Sequence, residues 1–136
     1  MRIVSMLDGV WWRDPQKLLY SQFSGTMNLQ DIKQMMELGY NLVESEGSET
    51  GVNSIIDVSR CEHYARDLMN LQAMRALSRS HSKTHWVVII DPTPHIAVRF
   101  IGLSIIKLLR LNYAVAQTET EAMTILQRVD RASSHT

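Results

Sequence analysis

Two short segments carry residue types that are used in catalysis or metal binding. Cys61 and His63 flank Glu62, and a thiolate beside a base could act as a nucleophile. No third group or oxyanion-hole sequence can be named for them, so ordinary loop residues are the simpler interpretation. His81 and His85 have the i, i+4 spacing of helical metal sites, but the residues around them are typical of a loop. The sequence therefore predicts no catalytic residue and no metal site.

A second set of polar residues follows three predicted parallel strands. It occupies the carboxyl ends of those strands and the starts of the following helices, where open α/β sheets bind ligands. Free N–H groups at a helix start could receive an anion there, although capping and turn hydrogen bonds explain several members equally well. No Gly-rich phosphate loop is present, and no cofactor is predicted. The members of this candidate ligand site are Asp57, Ser59, Asp91, Thr93, His95 and Thr118.

Hydrophobic periodicity predicts the elements that position these residues. β-prone runs cover 3–7, 10–12, 18–23, 54–58, 86–90 and 113–117, and helical patterns cover about 29–44, 64–79, 94–111 and 119–129. Asp8-Gly9 is predicted to be a turn, Ser24-Gly25 to end a strand, and 60–63 to be a loop. Asn28 with Asp31, and Thr118 with Glu121, have the spacing of helix capping boxes.

Alternation of strands and helices implies parallel strands joined by right-handed crossovers. The first strands add an antiparallel hairpin, in which Trp11 and Trp12 point to opposite faces. The predicted fold is a single α/β domain over 1–130, with a mixed, mostly parallel sheet and about four helices. Residues 131–136 are predicted to be a flexible tail.

Composition excludes several classes of function. The 136 residues are 45% hydrophobic and 21% charged, which is typical of a globular domain. Fourteen basic and fourteen acidic residues give a net charge of zero, which disfavours nucleic acid as the main partner. The single cysteine, Cys61, fits a reducing compartment, and the apolar segment 96–111 is too short and too charged to span a bilayer. We therefore expect a cytoplasmic protein.

The predicted helix over 94–111 shows apolar residues on two sides. One side should meet the sheet, and the other combines apolar with basic residues. That second side could meet a dimer partner, a membrane surface or another helix of the same chain. The interface candidates on it are Ile96, Arg99, Leu103, Ile106, Lys107 and Arg110.

Four segments resemble STAS domains, in particular their SpoIIAA-like branch, also described as STAS/Sec14-like. They are LLYSQFSGT at 18–26 with LQD at 29–31, IIDVS at 55–59, WVVII at 86–90 and TETEA at 118–122. The resemblance covers most of the chain between residues 10 and 127. Phosphoswitch members of that family carry Asp-Ser-Ser/Thr-Gly at the start of a helix. The equivalent positions here are Ala65-Arg66-Asp67-Leu68, which contain no hydroxyl group.

The resemblance implies a non-enzymatic, regulatory protein-interaction domain that lacks the serine switch. It would act as a homodimer or with a regulatory protein, through the surface around 64–79 and the loop before it. The alternative implied by the Sec14-like association is a small-molecule or lipid-binding domain. Such a domain would hold a small apolar ligand in a cavity between the sheet and the helix at 94–111. A third hypothesis is an enzyme that uses the polar residues at the strand ends.

Overall fold

The computed structural model describes residues 7–14, 17–46, 51–64, 84–92 and 112–134. Five strands and two helices lie in these ranges. They are β1 Leu7–Asp14, β2 Leu18–Met27, α1 Leu29–Glu46, β3 Val52–Tyr64, β4 Thr84–Ile90, β5 Asn112–Ala116 and α2 Glu119–Ser134.

The strands form one sheet in the order β1-β2-β3-β4-β5. β1 is antiparallel to β2, and the other three pairs are parallel. This confirms the predicted mixed, mostly parallel sheet with an N-terminal hairpin. The helices predicted over 64–79 and 94–111 lie outside the described residues, apart from Tyr64, which ends β3. Neither described helix is long and apolar enough to cross a membrane.

Alternating side chains along the strands build a core on each face of the sheet. On the first face, α1 packs over Phe23, Val58 and Ile89. On the second face, α2 packs over Ile55, Val88 and Ile90 through buried Ala122 and Leu126. We call these the α1 face and the α2 face. Full burial of side chains such as Phe23 and Ile55 contributes about 1.5–3 kcal/mol each, so the centre of the sheet anchors the fold.

The capping box predicted for α1 is present. The backbone N–H of Asp31 donates to Asn28 Oδ1 over 2.9 Å, and the backbone N–H of Asn28 donates to Asp31 Oδ2 over 2.9 Å. These bonds use donors that have no partner within the helix, and so define where α1 begins. At the other end of α1, Trp12 Nε1 donates to Glu46 Oε2 over 3.0 Å and ties β1 to the helix.

Two of the predicted boundaries in the hairpin are wrong. Asp8-Gly9 does not form a turn, because β1 runs without a break from Leu7 to Asp14 and absorbs one extra residue between Leu7 and Gly9. Ser24-Gly25 does not end β2, which continues to Met27. Gly25 has a φ of 71°, a conformation that glycine tolerates, and it lies beside an irregularity in the β2–β3 ladder. Bulges therefore replace the turns that the polar residues suggested.

The predicted loop at 60–63 is also wrong, because β3 runs on to Tyr64. Among the described strands, its last residues pair with β2 alone, from Ser24 opposite Arg60 to Met27 opposite Tyr64. The β3–β4 pairing has already ended at Asp57. A two-stranded ribbon thus extends beyond the end of β4, held by the burial of Met27 and Cys61 on the α1 face.

The remaining elements lie close to their predicted positions. β5 ends at Ala116 because the N–H of Gln117 donates instead to Glu121 Oε2 over 3.0 Å. Thr118 Oγ1 accepts the N–H of Glu121 over 3.1 Å, which confirms Thr118 as the cap of α2. α2 ends at Ser134 rather than near residue 129, so residues 131–134 of the predicted tail continue the helix.

Candidate functional site

Asp57, one of the polar residues that the sequence singled out, accepts hydrogen bonds from two strands of the sheet. It is the last residue of β3 that pairs with β4, opposite Ile90, and it is 7% exposed. Its Oδ2 accepts the phenol O–H of Tyr20 over 2.5 Å. Its Oδ1 accepts the backbone N–H of Ser59 over 2.9 Å and the Ser59 hydroxyl over 2.6 Å. One buried carboxylate thus holds three donors from two adjacent strands.

A bulge in β3 explains why Ser59 donates to this carboxylate. From Gln22 to Ser24, β2 advances two residues, whereas β3 advances three, from Asp57 to Arg60. An extra residue in one strand leaves local ladder groups without their regular partners. The Asp57 side chain accepts the Ser59 N–H at that point, as Asp commonly does for a residue two positions ahead. Asp57 is at the end of the β3–β4 ladder, but β3 itself does not end at Asp57 and Ser59 as predicted, because it continues to Tyr64.

Tyr20 and Trp11 extend the cluster across β2 to β1. The two rings stack with centroids 5.0 Å apart and an interplanar angle of 28°. Trp11 is 40% exposed, so it covers Tyr20, which is buried. Beside them, Arg13 Nε of β1 donates to Glu119 Oε1 of α2 over 2.9 Å in an exposed ion pair. The cluster therefore joins β1, β2 and β3 on the α2 face.

The protonation of Tyr20 follows from this environment. Burial of the phenol raises its pKa well above the ordinary value of 10.0, and the hydrogen bond to Asp57 raises it further. Tyr20 is accordingly a neutral donor at physiological pH. The Asp57 carboxylate uses three of its roughly four acceptor positions on Tyr20 and Ser59. The arrangement braces three strands and leaves little capacity for proton transfer to a substrate.

The other members of the predicted ligand site are spread along the same end of the sheet. Asp91 is buried directly after β4, and its backbone N–H donates to the Ala116 carbonyl over 2.9 Å. Thr118 is exposed and caps α2. Thr93 and His95 lie outside the described residues. The structure thus brings Asp57 and Ser59 into contact, and ligand binding by the six residues stays a prediction.

The structure places Cys61 and His63 differently from a nucleophile and its base. Cys61 is buried within the core of the α1 face, whereas His63 is exposed. His85 is exposed at the start of β4, and its ring lies against Gly51. Within the described ranges, no group of three His, Cys, Asp or Glu residues could hold a metal ion.

The six interface candidates on the predicted helix over 94–111 lie outside the described residues, and so does the cavity proposed beside that helix. Sequence reasoning missed the part that Tyr20 and Trp11 play in the polar cluster. The alternation of 18–23 did place Tyr20 on one face with Leu18 and Gln22. It gave no sign that a carboxylate 37 positions later would lie beside it.

Comparison with known proteins supplies a likeness of fold. No family model matches the chain, and no curated protein matches it. Among solved structures, it is similar to an uncharacterized protein of the DUF3478 family from Shewanella loihica PV-4, described as having a SpoIIAA-like fold. The TM-score is 0.60 at 12% sequence identity, over 93% of this chain and 98% of that chain. This likeness shows that the chain has a SpoIIAA-like fold.

Proposed function

We propose that this chain is a non-enzymatic STAS-like domain with a regulatory role, and that it acts through contacts with other protein chains. The observation that carries the proposal is the hydrogen bonding of the Asp57 carboxylate. Its Oδ2 accepts a hydrogen bond from Tyr20, and its Oδ1 accepts two from Ser59, so both oxygens are bound within the chain itself. A group used as a general base must instead be within reach of a substrate proton. The cluster therefore fits a structural brace better than a catalytic centre.

The exposed surface supports contact with proteins. Five large apolar residues of the described part are 38–42% exposed: Trp11, Leu38, Tyr40, Tyr113 and Val115. Aromatic side chains are enriched in protein interfaces. Trp11 lies on β1, and Tyr113 and Val115 lie on β5, the two strands at the edges of the sheet. Edge strands are also where sheets accept additional chains.

The proposed contacts do not use a serine switch at 65–68. Ala65, Arg66, Asp67 and Leu68 carry no hydroxyl group, so a kinase could not add the charge of a phosphate at these positions. Regulation would then depend on the concentration of the partner or on its own modification.

Site-specific photo-crosslinking tests the proposal. A photoreactive phenylalanine analogue replaces Trp11, Tyr40 or Tyr113 in turn, and the protein is irradiated in the cells that naturally produce it. We expect a protein adduct of discrete mass from at least one exposed position and none from the same analogue placed at buried Phe23. Absence of protein adducts at every exposed position, with a small molecule retained in native mass spectrometry, would support lipid or small-molecule binding instead.

A further inference from the structure

The two edges of the sheet differ in how they discourage pairing with another strand. β1 carries two irregularities, because Asp8 and Arg13 are each an extra residue relative to β2. It also contains three charged residues, Asp8, Arg13 and Asp14. Bulges and charges are the usual protection of an edge strand. β1 is therefore a poor template for a further strand.

β5 has none of this protection. Its sequence, Asn-Tyr-Ala-Val-Ala, contains no charge and no proline. It pairs with β4 without a register shift, from Asn112 opposite Trp86 to Ala116 opposite Ile90. In the described part of the chain, no strand pairs with its outer side. β5 therefore presents a regular, uncharged edge.

The side chains of β5 divide between two environments. Ala114 and Ala116 pack into the core under α2, and Ala116 is 1% exposed. Tyr113 and Val115 point to the other face and are 42% and 38% exposed. An uncovered pair of large apolar side chains on an edge strand favours contact with another chain.

Hydrogen bonding shows which backbone groups of β5 point outward. The Ala116 carbonyl accepts the Asp91 N–H over 2.9 Å, so the backbone groups of Ala116 face β4. In a strand, the N–H and C=O of one residue point to the same side, and successive residues alternate. The N–H and C=O groups of Tyr113 and Val115 therefore point away from the sheet.

We propose that a second copy of this chain pairs with β5, antiparallel and about a two-fold axis at Ala114. In this register Tyr113 lies opposite the partner's Val115, and Val115 opposite the partner's Tyr113. Both residues of each pair direct their backbone groups outward, so each pair exchanges two hydrogen bonds. The two sheets then form one continuous sheet that joins the five described strands of each copy. This inference rests on the proposed function, because it names the partner and the surface.

Symmetry is the reason to choose a second copy over a different protein. Tyr113 and Val115 are each one residue from Ala114. One two-fold axis at Ala114 therefore pairs the outward N–H and C=O groups of both residues with those of the second copy. A register centred on Val115 would instead place Tyr113 opposite the partner's Gln117. In each copy the backbone N–H of Gln117 already donates to Glu121 Oε2, so it could not pair with Tyr113. The axis also sets β5 against its own copy, which costs no like-charge repulsion because the strand carries no charge.

Sedimentation velocity over a range of concentrations tests the pairing with two variants of one residue. Val115→Pro removes an outward N–H but no bond to β4, and proline is tolerated at such edge positions. Val115→Lys places a charge in the contact. We expect the wild-type protein to dimerise. In both variants the dissociation constant of the dimer should rise by about tenfold or more, because the two-fold axis places each substitution in the contact twice. Leu38→Lys is the matched control, since Leu38 is 41% exposed on α1, and it should leave the dimer unchanged.

Hydrogen exchange reports on the same bonds without depending on the variants. In the dimer, the amides of Tyr113 and Val115 should exchange slowly, as we also expect for those of Ala114 and Ala116, which face β4. In Val115→Lys, the Tyr113 amide should become fast while Ala116 stays protected. A monomeric wild type, or a dimer that both Val115 variants leave intact, would overturn the pairing.

The two proposals can fail separately. A monomer that crosslinks to another protein from Trp11 or Tyr40 would overturn only the pairing of β5. A chain that neither self-associates nor forms protein crosslinks would overturn both.

Discussion

The hydrogen bond between Tyr20 and Asp57 can be removed by deleting a single oxygen atom. Tyr20→Phe keeps the ring, its burial and its stacking on Trp11, and deletes the hydroxyl that donates to Asp57 Oδ2. Asp57 stays 7% exposed and keeps only the two donors on Ser59, which bind the other oxygen. The variant therefore isolates the cost of leaving one buried carboxylate oxygen without its donor.

That cost can be estimated from the burial and the charge of the acceptor. Removing the partner of a buried polar group costs about 1–3 kcal/mol of unfolding free energy, more when the group is charged. For a domain of this length, 1 kcal/mol corresponds to about 4 °C in melting temperature. We expect Tyr20→Phe to lower the melting temperature by about 4–12 °C.

The pH dependence of this effect has a definite sign. Burial raises the pKa of Tyr20 above 10.0, so above that pH the folded protein keeps a proton that the unfolded chain releases. The resulting stabilisation is complete below about pH 10 and is lost as the pH rises towards the folded value, by about 1.4 kcal/mol per pH unit. Phenylalanine has no such proton. The stability difference between wild type and variant should therefore be constant from pH 6 to 9 and shrink above pH 10.

Chemical denaturation at several pH values measures both quantities. Tyr113→Phe is the control, because Tyr113 is 42% exposed, and it should change the unfolding free energy by less than about 0.5 kcal/mol. A loss below about 0.5 kcal/mol in Tyr20→Phe would refute the buried hydrogen bond as a brace. A difference that does not shrink above pH 10 would refute the raised pKa.

Two further predictions concern the backbone. Gly51 has a φ of 114°, and a Cβ there would collide with the ring of His85, so Gly51→Ala should destabilise the protein by about 1–3 kcal/mol. Gly39→Ala, within α1, would place a Cβ in ordinary van der Waals contact with Leu19 Cδ1 at 3.8 Å and should instead stabilise by about 0.5–1 kcal/mol; thermal unfolding of the pair separates the two cases. Asn28→Ala removes the cap of α1 and should cost about 0.5–2 kcal/mol, whereas Gln30→Ala on the exposed first turn should cost almost nothing. Equal losses in the Asn28 and Gln30 variants by chemical denaturation would show that the cap is dispensable.

Local hydrogen bonds explain why the helix starts could be predicted. Asn28 and Asp31 are three residues apart, and so are Thr118 and Glu121. A cap is formed within one turn, so its signal is contained in four residues of sequence. The same holds for the alternation of apolar residues in β4, where Val88 and Ile90 face α2 and Ile89 faces α1.

The ends of strands were harder to predict, because how far a strand extends depends on how far a neighbouring strand continues beside it. Ser59-Arg60 is polar and suggested a loop, yet β3 continues because β2 continues beside it. Two bulges absorb the difference in length between these strands. The surroundings of the candidate site differ from the prediction for the same reason. β3 continues past Asp57, and the Asp57 carboxylate accepts a hydrogen bond from Tyr20.

The succession of the described strands and helices and the capped helix starts could be predicted from residues close together in the chain, and the mixed sheet follows from that succession. The tertiary structure decided the lengths of β2 and β3, the bond from Tyr20 to Asp57 and the stacking of Trp11 on Tyr20. It also decided which edge of the sheet is bulged and which is regular. These features depend on which strand lies beside which and in what register, and that is settled only when the whole sheet packs.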